Sequence, residues 1–82
     1  MDTQSLVPLS TLKQGEKAYV VDLELNGLLR RRVLDLGIVP GTSLQCVGTA
    51  PAGDPIAYLV RGTVIALRSE DARSIRVNSA LV

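Results

Sequence analysis

The chain reads as mostly β: a small, partly open barrel of about five strands, with one helix inserted after the first strand and a short helical turn near the N-terminus. Three observations point there. Short apolar runs alternate with period two between Gly- and Pro-containing turns, and a single stretch, about 27–36, carries helical spacing. In addition, 82 residues suffice for one domain only, and short strands in so small a domain must curl their sheet to bury one face. Residues 1–82 are read as that one domain, with 1–7 and 79–82 expected as flexible tails.

Taken in order, Pro8 to Gly15 suits a short helical turn that lids the barrel, with Ser10 placed as N-cap, Leu9 and Leu12 three apart, and Gly15 ending it. A strand comes next over about 17–24. Ala18 and Val20 share one face and Val21, Leu23 and Leu25 the other, so a bulge near Asp22 is needed to return the later residues to the core. Asn26-Gly27 has the composition of a hairpin turn, but the residues after it are helix-periodic, and Asn26 is therefore read as an N-cap. Leu29, Val33 and Leu36 form the apolar stripe, widened by Leu34 and Ile38, while Arg30, Arg31 and Arg32 fall largely outside it. Gly37 stands where a left-handed residue closes a helix, which places Ile38 against Val33 in a Schellman ending. Pro40-Gly41 has the residues of a type II turn.

A strand over about 42–49 then carries Leu44 and Cys46 inward, and 50–55 forms a loop. Next comes a hairpin. With Gly62-Thr63 as its two-residue turn, Arg61 faces Val64, Leu59 faces Ala66 and Ala57 faces Arg68, and the bulkier set, Ile56, Tyr58, Val60, Ile65 and Leu67, belongs to the core. Ser69 is placed to cap a short turn through Ala72, and Ile75 and Val77 alternate in a last strand.

Composition narrows the function classes. Nine basic residues against eight acidic leave a net charge of +1, so no general attraction draws the chain to nucleic acid or anionic membrane. Two tyrosines, Tyr19 and Tyr58, are the whole aromatic inventory, too few for a base-stacking platform, and no nucleic-acid partner is expected. No apolar run approaches the roughly 20 residues that span a bilayer, and the opening MDTQSLVPL has neither a basic n-region nor an h-region; a cytoplasmic location is expected. Cys46 is the one cysteine and histidine is absent, which leaves no internal disulfide and no thiolate or imidazole set for a transition metal. Neither a metal site nor a cofactor is expected, and Cys46 is read as a small buried apolar side chain. No nucleophile–base pair or phosphate-cradling loop is visible, so the chain is not read as an enzyme, and Asp54, Glu70 and Asp71 are assigned to turns and caps.

Two surfaces stand out. The outward side of the hairpin carries Ala57, Leu59, Val64 and Ala66, unusually apolar for a solvent face, and is the candidate surface for a partner or for self-association into a homo-oligomer. Arg30, Arg31, Arg32 and Arg61 are the candidate basic contact patch.

The run RRRVLDLGIVPGT, then APAGDPIAYLVRGTVIALR, then a short turn and SIRV, resembles the FeoA family over about residues 9–78. The most specific parts are Leu36-Gly37-Ile38 with Pro40-Gly41, the Gly53-Asp54-Pro55 turn, and Arg61-Gly62 followed by Ala66-Leu67-Arg68. The resemblance implies an SH3-like barrel and a small cytoplasmic protein that supports or regulates ferrous iron uptake through protein–protein contact with the cytosolic region of the transporter FeoB. Contact with the membrane is then through the transporter alone. Activation of the FeoB GTP-binding domain, with one of the four arginines inserted in trans, is the alternative; the same barrel also resembles the C-terminal domain of metal-dependent repressors, although no winged helix precedes it here. Ala57 and Leu59 depart from the polar or charged residues that FeoA-like hairpins tend to carry there.

Overall fold

The computed structural model describes residues 6–79. Its elements are β1 (Leu6–Pro8), a 3-10 turn (Leu9–Thr11), β2 (Lys17–Leu23), α1 (Gly27–Asp35), β3 (Ser43–Thr49), β4 (Ile56–Val60), β5 (Thr63–Leu67), α2 (Ser69–Ala72) and β6 (Ile75–Ser79). All strand pairs are antiparallel, in the order β1-β6-β2-β3-β4-β5. The described strands thus number six rather than about five, and the helix comes after the second of them. The added strand is β1: Leu6 and Val7, expected within a tail, pair with Asn78 and Val77 of β6. Pro8 closes it opposite Arg76, and the strand lies at the sheet edge, where a missing N–H costs least. The remainder of both expected tails, 1–5 and 80–82, lies outside the described residues.

The core is aliphatic around one aromatic ring. Leu9, Ala18, Val33, Ile38, Tyr58, Ile75 and Val77 are wholly excluded from solvent. On β2 the alternation breaks as expected: Val20 pairs with Val77 and Asp22 with Arg76, so Val21 is the bulge. Both Val21 and Asp22 are consequently exposed while Leu23 and Leu25 return to the core. A second bulge, at Val47 between the Cys46–Tyr58 and Gly48–Ala57 pairs, bends β3. Cys46 itself is buried as a core side chain.

The helix ends as its sequence requires. Gly37 has φ +97°, its N–H donates to Leu34 O at 2.9 Å, and the Ile38 N–H donates to Val33 O at 3.3 Å, which is the Schellman pair of bonds. Gly41 at φ +94° and the Thr42 N–H to Val39 O bond of 3.0 Å then make the type II turn. Asn26 has the extended geometry of an N-cap, but its side chain makes no capping bond. The stripe differs at one place: Val33 and Ile38 are buried and Leu29 and Leu34 pack against the core, whereas Leu36 is 41% exposed. Leu36 is the C-cap residue, still in the helical region at φ −75° and ψ −6°, and stands at the open end of the helix, where the core covers only part of it.

Two capping assignments also change hands. Pro8, not Ser10, precedes the N-terminal turn, and Thr11 Oγ1 donates to Pro8 O at 2.8 Å. At α2 the N-cap is Arg68, without a side-chain cap, and the first-turn N–H of Ser69 donates to Asp54 Oδ1 at 2.8 Å. Asp54 therefore ties the 50–55 loop to α2 with a charge-assisted bond. Asp54→Ala is expected to destabilise the fold by about 1 kcal/mol, as other lost helix caps do, lowering the thermal midpoint by about 4–8 °C; Asp54→Asn should retain most of it.

Candidate functional site

The β4–β5 hairpin turns one residue earlier than its composition suggests. Val60 pairs with Thr63, Leu59 with Val64, Tyr58 with Ile65, Ala57 with Ala66 and Ile56 with Leu67, which leaves Arg61-Gly62 as the two-residue turn. Both residues are left-handed, Arg61 at φ +51° and Gly62 at φ +82°, the requirement of a type I′ turn. The expected pairings of Leu59 with Ala66, Ala57 with Arg68 and Arg61 with Val64 are therefore replaced. The two faces survive unaltered, because the displacement of the pairing is even and the side-chain period is two.

As a result Ala57, Leu59, Val64 and Ala66 do form one outward patch, as two directly opposed cross-strand pairs. Val64 is 61% exposed, Ala66 is exposed, and Ala57 and Leu59 are half-buried. The register carries the same row onward: Leu59 faces Gln45 on β3, and Gln45 faces Lys17 on β2. Apolar surface at the hairpin thus grades into polar and then cationic surface across four adjacent strands. Beside that row lies an open hollow of about 180 Å³ lined by Lys17, Ser43, Gln45, Leu59 and Arg61 among others. Lys17, Ser43 and Gln45 were not legible as site residues in the sequence. Ser43 and Gln45 alternate with the inward Leu44 and Cys46 on β3, but only the sheet register brings Lys17 of β2 and the Arg61 turn beside them.

The four arginines do not make one patch. Arg30 Nη1 donates to Leu23 O at 3.0 Å, fastening α1 to the end of β2. Arg31 and Arg32 are exposed on the helix, near Leu28, which is 88% exposed. Arg61 instead reaches toward Gly37 at the far end of α1, with its Cδ 3.9 Å from where a Gly37 Cβ would stand. That is five to seven residues past Arg30–Arg32, about 8–10 Å along the helix axis.

Other chemistry is sparse. Tyr58 is buried and donates a long hydrogen bond of 3.4 Å to Leu9 O; burial first, and negative charge on the opposed Cys46 sulfur second, push its hydroxyl pKa far up. Among the described residues no three His, Cys, Asp or Glu side chains converge as a metal site would require. No helix among them is long and apolar enough to cross a membrane.

The family model described as FeoA domain matches residues 7–79. A fusion of Fe(2+) transport protein A with the Fe(2+) transporter FeoB, from Porphyromonas gingivalis, is 39% identical over 69 residues, 84% of this chain; the chain spans 8% of that protein's length. The putative Fe(2+) transport protein A of Campylobacter jejuni is 30% identical over 70 residues, which are 85% of this chain and 95% of that protein. The solution structure of the FeoA protein from Chlorobium tepidum superposes with a TM-score of 0.87 at 36% identity, covering 92% of this chain and 71% of that one.

Proposed function

The chain belongs to the FeoA family, with its SH3-like fold, and from that premise we propose that it supports or regulates ferrous iron uptake by docking onto the cytosolic region of FeoB. It is a non-enzymatic accessory protein of the family associated with ferrous iron transport. The observation that carries the docking reading is the relative in which a homologous segment and FeoB are one polypeptide. Fusion raises the effective concentration of two modules that work on each other. The outward hairpin face supplies a surface suited to such contact, since Leu59 and Val64 leave apolar area uncovered on the sheet. Docking of this kind places the protein in the cytoplasm, at the membrane only through its partner.

The test is quantitative binding to the FeoB cytosolic region, with and without guanine nucleotide. Wild type is expected to bind in at least one nucleotide state, and Leu59→Glu to weaken binding by about tenfold or more, the effect of a charge placed in an apolar contact. The variant should keep its thermal midpoint within a few degrees, because Leu59 is only half-buried and faces away from the core. Absence of binding in either state removes the docking reading. Equal sedimentation of wild type and Leu59→Glu as monomers removes self-association through this face.

A further inference from the structure

We infer that the hollow between Lys17 and Arg61 seats a carboxylate side chain of a protein partner, whose neighbouring apolar residue lies on Leu59 and Val64; this rests on the docking reading and gives it a chemistry. Three observations converge on the hollow. First, two cations border it from different elements, Lys17 at the start of β2 and Arg61 in the β4–β5 turn, and among the described residues neither forms an ion pair. A carboxylate between them would gain attraction from both and a bidentate match to the guanidinium. The Ser43 hydroxyl stands in the same lining as a further donor, while the Gln45 amide is already held, its Nε2 donating to Gly15 O at 3.2 Å, and so acts as wall.

Second, Arg61 occupies the first position of a type I′ turn at φ +51°, where Asn, Asp or Gly sit without strain and a long side chain does not. A residue kept in an unfavourable backbone conformation is accounted for when its side chain is used. The hairpin register runs through Val60 and Thr63 on either side, and although the stem of Arg61 reaches toward Gly37, its guanidinium has no hydrogen-bond or ion-pair partner among the described residues.

Third, the surface changes character within one row. Lys17, Gln45, Leu59 and Val64 are successive opposed residues on four strands, all on the face away from Ala18, Leu44 and Val60. With strands about 4.8 Å apart the row spans about 14 Å, the reach of an acidic residue and an apolar residue a few positions apart in an extended or helical segment. A phosphate-rich partner, a membrane surface or a nucleic acid would call for more cations than these two, and the net charge of +1 supplies none in excess. Apolar area beside a paired cation site fits a protein segment instead.

The probes are the peptide acetyl-Ala-Leu-Glu-Leu-Ala-amide, its Gln counterpart, and inorganic phosphate, each titrated into the full chain and monitored by amide chemical shifts. The Glu peptide is expected to shift Lys17, Ser43, Gln45, Arg61 and Gly62, with the Gln peptide weaker by about fivefold or more for loss of the charge. Arg61→Gly should lose the response while its thermal midpoint stays equal or rises, since glycine relieves the left-handed strain. A purely structural arginine would show the opposite pair of results. Equal response to the Glu and Gln peptides, response to phosphate alone, or an undiminished response of Arg61→Gly overturns the inference. The same variants, with Lys17→Gln, are then measured against the FeoB cytosolic region. Peptide shifts without FeoB binding by wild type remove the docking reading and leave the carboxylate site; FeoB binding that neither variant weakens removes the site and leaves the docking.

Discussion

Tyr58→Ala is expected to destabilise the protein by about 3–5 kcal/mol, the range for removing a fully buried aromatic ring. A domain of this size has about 4–12 kcal/mol in total, so the variant should be partly or wholly unfolded at room temperature by urea titration. The cost is large because the ring is the largest side chain of a core otherwise made of Leu, Val, Ile, Ala and Cys46, with no second aromatic to move into the space. Tyr58→Phe separates ring from hydroxyl. Its expected cost is below about 1 kcal/mol, since the bond it removes is long at 3.4 Å and Leu9 O keeps the N–H of Leu12 at 3.1 Å.

The hydroxyl should show itself at alkaline pH. Burial raises the Tyr58 pKa in the folded state above its unfolded value near 10. The folded state therefore holds its proton where the unfolded state has lost it, so stability is fully present below about pH 10 and falls as pH rises beyond, by up to about 1.4 kcal/mol per pH unit. Urea midpoints measured from pH 8 to 11 should drop for wild type and drop less for Tyr58→Phe. Identical pH profiles would show that the ring hydroxyl reaches solvent in the folded state.

Much of this architecture is legible in the sequence where the determining chemistry is local. The Schellman ending at Gly37 and the type II turn at Pro40-Gly41 each rest on one glycine in a conformation other residues resist, and both are present. The bulge at Val21 results from the apolar parity of Ala18, Val20, Leu23 and Leu25, which no straight strand satisfies. Failures cluster where non-local contacts decide. Three residues of β1 carry no alternation, and only the partner β6 makes them a strand. Turn propensity favours Gly62-Thr63, and the sheet imposes Arg61-Gly62 against it. The apolar half of the candidate surface could be read from alternation within one hairpin. Its cationic half could not, because Lys17 meets Arg61 only through the pairing of β2 with β3 and β3 with β4.

The residues flanking Gly37 give the sharpest mutational contrast. Ile38→Ala is expected to cost about 3 kcal/mol and Leu36→Ala about 1 kcal/mol, although both are aliphatic and both adjoin the same glycine. Helical spacing alone assigns them together to the buried stripe with Leu29 and Val33. In the structure Ile38 is wholly excluded from solvent and its N–H is bonded to Val33 O, so truncation opens a cavity beside the Schellman turn. Leu36 is 41% exposed at the C-cap, so truncating it removes only partly covered apolar surface and leaves no enclosed cavity. Urea midpoints of the two variants at constant slope decide it. Comparable losses would mean that α1 packs through the strict period of Leu29, Val33 and Leu36, rotated from the face that holds Val33 and Ile38 in the core. A much larger loss at Ile38 means that Gly37 does more than stop the helix: its left-handed turn carries the next residue back under the helix and converts a terminus into part of the core.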